Sequence, residues 1–203
     1  MLELYQGNTL LARNDNWKDS QQAEIEAPTI PPSNVLESAI VRTLAPGSYT
    51  AILSGKGGLT GIGVVEAYDL DQAANSKLAN ISSRGFVAAG DNVMIGGLIS
   101  GGNGGADVRV LIRGIGPSLA NAGITGALQD PTLDLVNANG VLVRANDNWQ
   151  ESQQQEIEAT TIPPANAAES AIIVTLTPGN YTAILRGKNN TNGVGLVEVY
   201  NVQ

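Results

Sequence analysis

The chain contains no histidine and no cysteine. Their absence removes Ser–His and Cys–His nucleophile pairs, the usual nitrogen–sulfur zinc sites, thiol redox chemistry and disulfides. It leaves the redox compartment open, because a cysteine-free chain fits the cytosol and the extracellular space equally. Charge is scarce as well: 15% of the 203 residues are charged, with a net balance of −8. An acidic chain is poorly suited to phosphate backbones, so nucleic acid is not an expected partner. The longest apolar stretch, residues 93–99, falls far short of the roughly 18–20 residues of a spanning helix, and no membrane insertion is expected. Residues 1–5 lack the basic start of a secretory leader and run straight into a strand pattern. No side chain titrates naturally near neutrality, so neither a resident cofactor nor an enzyme activity is expected.

What the chain has is a repeat. Residues 17–70 align with 149–202 without a gap, Trp17 falling on Trp149, and about 60% of the positions are identical. Asn14-Asp15-Asn16-Trp17 recurs as Asn146-Asp147-Asn148-Trp149, and Glu37-Ser38-Ala39-Ile40 as Glu169-Ser170-Ala171-Ile172. Tyr49-Thr50-Ala51-Ile52-Leu53 recurs as Tyr181-Thr182-Ala183-Ile184-Leu185. The period is 132, and the repeated block, B, spans residues 1–70 (B1) and 133–203 (B2). The intervening block A, residues 71–132, occurs once and holds half of the 24 glycines. The order B–A–B predicts one complete module over 77–203 and an incomplete half-module over 1–70.

Both blocks read as strands. Residues 133–136 and 141–144 flank Asn139-Gly140, a strong hairpin signal. Residues 170–176, 181–186 and 194–200 are rich in Val, Ile, Thr and Tyr, which fit a pleated, half-buried surface. Block A offers 81–87, 93–100 and 108–115, and in the last of these Val108, Val110 and Ile112 alternate with Arg109, Leu111 and Arg113. The glycine-rich segments 55–58 and 101–105 are expected to be hairpin turns rather than phosphate loops, since neither opens a helix with a Lys-Ser/Thr pair. Short helical turns are expected at 20–27, 152–159 and 117–122. Five B strands and three A strands make eight, a natural count for a closed double sheet. The predicted class is all-β, a jelly-roll-like β-sandwich.

The runs Ile81-Ser82-Ser83-Arg84-Gly85-Phe86-Val87, Gly90-Asp91-Asn92-Val93-Met94-Ile95-Gly96-Gly97 and Arg113-Gly114-Ile115-Gly116-Pro117-Ser118-Leu119 carry a resemblance. They are similar to a Gly-rich β-sandwich repeat module of large secreted and surface proteins of environmental bacteria, and the likeness continues through Asn146-Asp147-Asn148-Trp149 to Val197-Glu198-Val199-Tyr200. Block B alone also resembles the pre-peptidase C-terminal β-sandwich through Thr175-Leu176-Thr177-Pro178-Gly179-Asn180-Tyr181-Thr182. The resemblance implies an extracellular or cell-surface, non-catalytic module. The chain departs from the pattern at its start, where B appears without a preceding A.

Candidate sites lie in the repeated turns. Asp15 and Asp19, with Asp147 and Glu151, cluster side-chain oxygens as calcium would require. The other reading is an Asx turn whose Asp and Asn side chains bond local backbone. Trp17 and Trp149 suit either a lid over the core or a stacking platform for a glycan. The pairs Glu24/Glu26 and Glu156/Glu158 resemble glycosidase carboxylates only in type, since those must flank one bond at a fixed separation. Asn80, Asn180 and Asn189 satisfy the glycosylation sequon.

The expected function is a structural subunit of an extracellular filament or surface layer, a head-to-tail homopolymer joined by strand complementation, because a B block without an A block leaves an open edge. The alternative is a calcium- or carbohydrate-binding accessory module of a larger secreted protein.

Overall fold

The computed structural model describes residues 1–71, 78–101 and 105–202. The chain forms two compact units, Met1–Ala74 and Asn75–Gln203. The first contains strands β1 (Leu2–Gln6), β2 (Thr9–Asn14) and β3 (Thr50–Leu53), with a short helix α1 (Gln22–Glu26). The second contains β4 (Asn80–Val87), β5 (Met94–Ser100), β6 (Val108–Ile115), β7 (Pro131–Asn137) and β8 (Leu142–Asn146). After these come the helix α2 (Gln154–Ala159) and strands β9 (Ser170–Leu176), β10 (Gly179–Gly187) and β11 (Gly193–Asn201).

The eight strands of the second unit pair into two antiparallel sheets, β5-β10-β7-β8 and β4-β11-β6-β9. Counted within the unit, one sheet holds the first, eighth, third and sixth strands and the other the second, seventh, fourth and fifth. That is the jelly-roll order, and the fold class is an all-β sandwich. Each sheet keeps two edge strands, so the double sheet is open rather than closed as its strand count suggested. Ile112, Leu133, Leu135, Ile172 and Leu185, all with no exposed surface, fill the space between the sheets. Fully burying each such side chain contributes roughly 1.5–3 kcal/mol.

Alternation explains which residues point inward. Val110 and Ile112 of β6 face the sandwich core, while Leu111 points to the opposite face of the sheet. There it meets Trp149, Ile157, Ala171 and Ile173 in a second, smaller core beneath α2. Gly114 has no side chain because the two layers close on it: a Cβ there would lie 2.7 Å from Leu185 Cδ1.

The turns differ from their expected roles. Asn139-Gly140 does join a hairpin, β7–β8, with Gly140 at φ 73°. The connections β4–β5, β9–β10 and β10–β11, however, join strands of different sheets. Successive strands lie in opposite layers, so these connections carry the chain across the sandwich rather than back along one sheet. The expected hairpin at 101–105 also links strands of different layers, and its residues 102–104 lie outside the described residues. Residues 55–58 are not a hairpin turn either, because no strand follows them over 59–71.

The first unit is organised around one three-stranded sheet, β2-β1-β3. Its strands occupy the repeat positions of β8, β7 and β10, and β1–β2 and β7–β8 share a register shift at Leu4/Tyr5 and Leu135/Val136. Residues 38–44 and 61–69, at the repeat positions of β9 and β11, carry no strand. The second unit supplies the reason. There β9 and β11 do not touch as ladder partners; β6 lies between them and pairs with both. The β-sheet that contains them is therefore held by an A-block strand, and among the described residues of the first unit no strand takes that place.

Candidate functional site

The turn after β2 and the turn after β8 are built alike, from residues of block B. Asn146 Nδ2 donates to Asn148 O (3.1 Å) and Ser152 Oγ (3.2 Å), while its Oδ1 accepts from Ala171 N (2.9 Å). Asn14 makes the matching bonds to Asn16 O (3.0 Å), Ser20 Oγ (3.2 Å) and Ala39 N (3.0 Å). Trp149 Nε1 donates to Asn166 O and Trp17 Nε1 to Asn34 O, each at 3.1 Å. At 6% and 4% exposure, neither indole presents a face on which a sugar could stack. Both tryptophans seal the protein from within, as the lid reading expects.

The calcium candidates are distributed over separate contacts. Asp147 Oδ2 lies 2.6 Å from the Lys188 ammonium, which also reaches Asp130 at 3.7 Å. The bond to Asp147 raises the Lys188 pKa, against the opposing effect of desolvation. Asp15 and Lys56 form the equivalent pair, which lowers the Asp15 pKa and raises that of Lys56. Glu151 accepts from Asn148 Nδ2 (2.8 Å) and Asp19 from Asn16 Nδ2 (2.9 Å). Among the described residues, no three acidic side chains come together as a metal-holding group. A lysine thus supplies the positive charge at each turn.

Glu24 and Glu26 lie exposed on α1, Glu156 and Glu158 exposed on α2. Glu156 pairs with Arg109 (3.1 Å) and Glu158 accepts from Gln154 (2.8 Å). Two residues apart on a helix, the members of each pair point in different directions and do not face each other across one bond. Asn80, Asn180 and Asn189 are all exposed.

Two carboxylates that the sequence did not single out as anchors dominate the second unit. Glu169, with no exposed surface, accepts from Gly116 N (3.2 Å), Ser118 N (2.9 Å), Ser118 Oγ (2.5 Å) and Asn166 N (3.1 Å). Charge-assisted bonds of this kind are what make a buried carboxylate tolerable. Glu198, 7% exposed, binds the guanidinium of Arg113 through Nε (2.9 Å) and Nη2. Arg113 Nη1 donates to Ile162 O (2.8 Å), and its Nη2 to Tyr200 Oη (3.0 Å), with the guanidinium 5.0 Å from the Tyr200 ring. Burial is the chief cause of a raised Tyr200 pKa, followed by the charge of Glu198. In sequence Glu198 is a single residue inside a strand and Glu169 the residue just before β9; what could have flagged them is the pairing of acids in B with Arg113 and Ser118 in A.

The first unit repeats the acids without their donors. Glu37 accepts from Asn34 N (3.0 Å) and is exposed. Glu66 accepts from Tyr68 Oη (3.1 Å), as Glu198 accepts from Tyr200. Among the described residues it has no basic partner. Around them, apolar residues that are buried in the second unit lie open. Leu44 is 40% exposed against 2% for Leu176, Leu53 43% against 0% for Leu185, and Val65 46% against 2% for Val197. The strandless segments 38–44 and 61–69, with these exposed apolar side chains, Glu37 and Glu66, are the candidate site.

No protein family matches the chain, and no curated protein does. Among solved structures, the chain is similar to the pre-peptidase C-terminal domain of a collagenase from Bacillus anthracis. Identity is 14% and the TM-score 0.38, over 59% of this chain and 88% of that one.

Two outcomes follow for the residues above. Glu169→Ala should destabilise the cooperative unfolding of the second unit by about 2–4 kcal/mol, because it orphans several buried donors. Glu37→Ala should change stability by no more than about 0.5 kcal/mol, and denaturant titration reads both. Thermal unfolding with calcium and with chelator should give superimposable curves, since Lys188 and Lys56 already neutralise Asp147 and Asp15; a rise in melting temperature with calcium, lost in Asp147→Ala, would restore the cation site.

Proposed function

We propose that the protein is a non-catalytic structural subunit of an extracellular filament or surface layer, and that it joins its neighbours by strand complementation at residues 1–71. The observation that carries the reading is the pair of strandless segments, 38–44 and 61–69, whose repeat counterparts are β9 and β11. Exposed apolar side chains along them support it further: Ile62 is 94% exposed and Val64 73%. An exposed edge of unpaired backbone groups is a template for another strand, and a contiguous apolar face marks an interaction surface. Acceptor and donor are unlike surfaces, so the contact is heterologous, and repetition runs head to tail. Backbone ladders and apolar burial would hold such an assembly, because the chain has no cysteine for cross-links.

Sedimentation and electron microscopy test the proposal on the full chain. The wild type should associate with rising concentration into elongated particles. Val65→Asp, which places a charge on an already exposed position of the acceptor face, should keep it monomeric. A wild-type chain that stays monomeric at high concentration, with no filaments, would contradict the reading.

A further inference from the structure

We infer that the partner seated on residues 1–71 is a second copy of this chain, and that the seam joins the outer edge of that copy's β5 to the free edge of β3. The inference rests on the assembly reading above and names its partner and its seam. It comes from the edge strands of the three sheets and the way each edge is protected.

Among the described residues six strands stand at a sheet edge, and four of them carry a device against further pairing. β2, β4 and β8 bear Arg13, Arg84 and Arg144. β2 and β8 are irregular as well, because Leu11 and Val143 are skipped in their ladders. β9 is closed by side-chain amides: Ala171 N donates to Asn146 Oδ1 (2.9 Å), Ile173 N to Gln153 Oε1 (3.3 Å), and Ile173 O accepts from Gln153 Nε2 (2.8 Å). Charges, bulges and covers of this kind are how sheets avoid joining edge to edge.

β5 and β3 have none of these. Neither 94–100 nor 50–53 contains a charged residue or a proline, and their ladders to β10 and β1 run without a register shift. Met94 and Leu98 pack against the sandwich core, so alternation turns Ile95 and Ile99 outward, and Ile99 is 76% exposed. A regular, uncharged edge with exposed apolar side chains is a template for strand addition.

The repeat shows which strand suits that template. Along its inner edge β5 already pairs with Tyr181-Thr182-Ala183-Ile184-Leu185, Ile95 opposite Ile184 and Gly96 opposite Ala183. Tyr49-Thr50-Ala51-Ile52-Leu53, which ends in β3, is the same sequence. Seated antiparallel on the outer edge, β3 of a neighbour would flank β5 with that sequence on both sides. Ile52 would then share a face with Ile95 and Ile99, and Ala51 and Leu53 a face with Met94 and Leu98. One continuous sheet would run from β8 of one copy to β2 of the next. Every copy carries both edges, and no strand leaves its own sheet. The two edges are unlike, so the contact is heterologous and repeats head to tail.

The test uses the full chain as wild type, Ile99→Lys and Ile52→Lys, since a lysine on an outward position blunts an edge. By sedimentation the wild type should associate with rising concentration, and each variant alone should stay monomeric. An equimolar mixture of the two variants should give one-to-one dimers, because each retains the edge that the other has lost. Thr50→Lys, on the same face of β3, repeats that arm. Amide hydrogen exchange on the wild type needs no substitution: protection of 50–53 and 94–100 should grow with concentration, while that of 80–87 and 142–146 stays constant. Variants that associate as the wild type does, a mixture that stays monomeric, or growing protection at 80–87 or 142–146 in place of 94–100 would overturn the inference. A chain that assembles with the exchange of 50–53 and 94–100 unchanged refutes this seam alone. A chain whose variants complement each other but whose wild type closes into rings, with no filaments, refutes the filament reading alone.

Discussion

The second unit depends on one placement, the insertion of β6 between β9 and β11. Its backbone completes both neighbours' ladders. Its inward residues Val110 and Ile112 enter the sandwich core, and its outward Leu111 anchors the smaller core under α2. Its Arg113 neutralises Glu198 in a nearly dry site, and the Gly116–Ser118 turn beyond it donates hydrogen bonds to Glu169. Removing the strand would orphan two buried carboxylates and separate two strands at the same time. Penalties for buried unpaired charge outweigh the modest net gain of single hydrogen bonds, so the strand is a condition for the sheet rather than one member of it.

The first unit describes what block B does without that strand. The pieces whose partners lie within B are formed: the β1–β2 hairpin, the β1–β3 ladder and the Asn14 turn with its buried tryptophan. The pieces whose partners lie in A are not. The division follows the origin of each partner and not local propensity, since Ser38-Ala39-Ile40 is identical to the start of β9. Strand propensity is dominated by neighbours across the sheet, and here the neighbour decides.

Much of this was legible in the sequence, unevenly. The strands 108–115 and 170–176 coincide with β6 and β9, because alternation and β-branched runs report directly on a half-buried pleat. The turns misled, because Gly-rich links in a sandwich look the same whether they close a hairpin or cross between layers; only pairing over long sequence distances separates the two. The lysine partners of the acidic turns were not legible locally, since Lys56 and Lys188 lie 41 residues further along the chain than Asp15 and Asp147. Glu169 and Glu198 became visible as anchors only when folding brought Ser118 and Arg113 onto them.

Amide hydrogen exchange on the full, unpartnered chain tests the central claim most directly, because corresponding repeat stretches are compared within one molecule. The account predicts slow exchange in 170–176 and 193–201, on either side of β6, and exchange close to that of an unstructured chain in 42–44 and 61–68. Equal protection of the two sets in a verified monomer would contradict it, since block B would then complete its second sheet without a strand from block A.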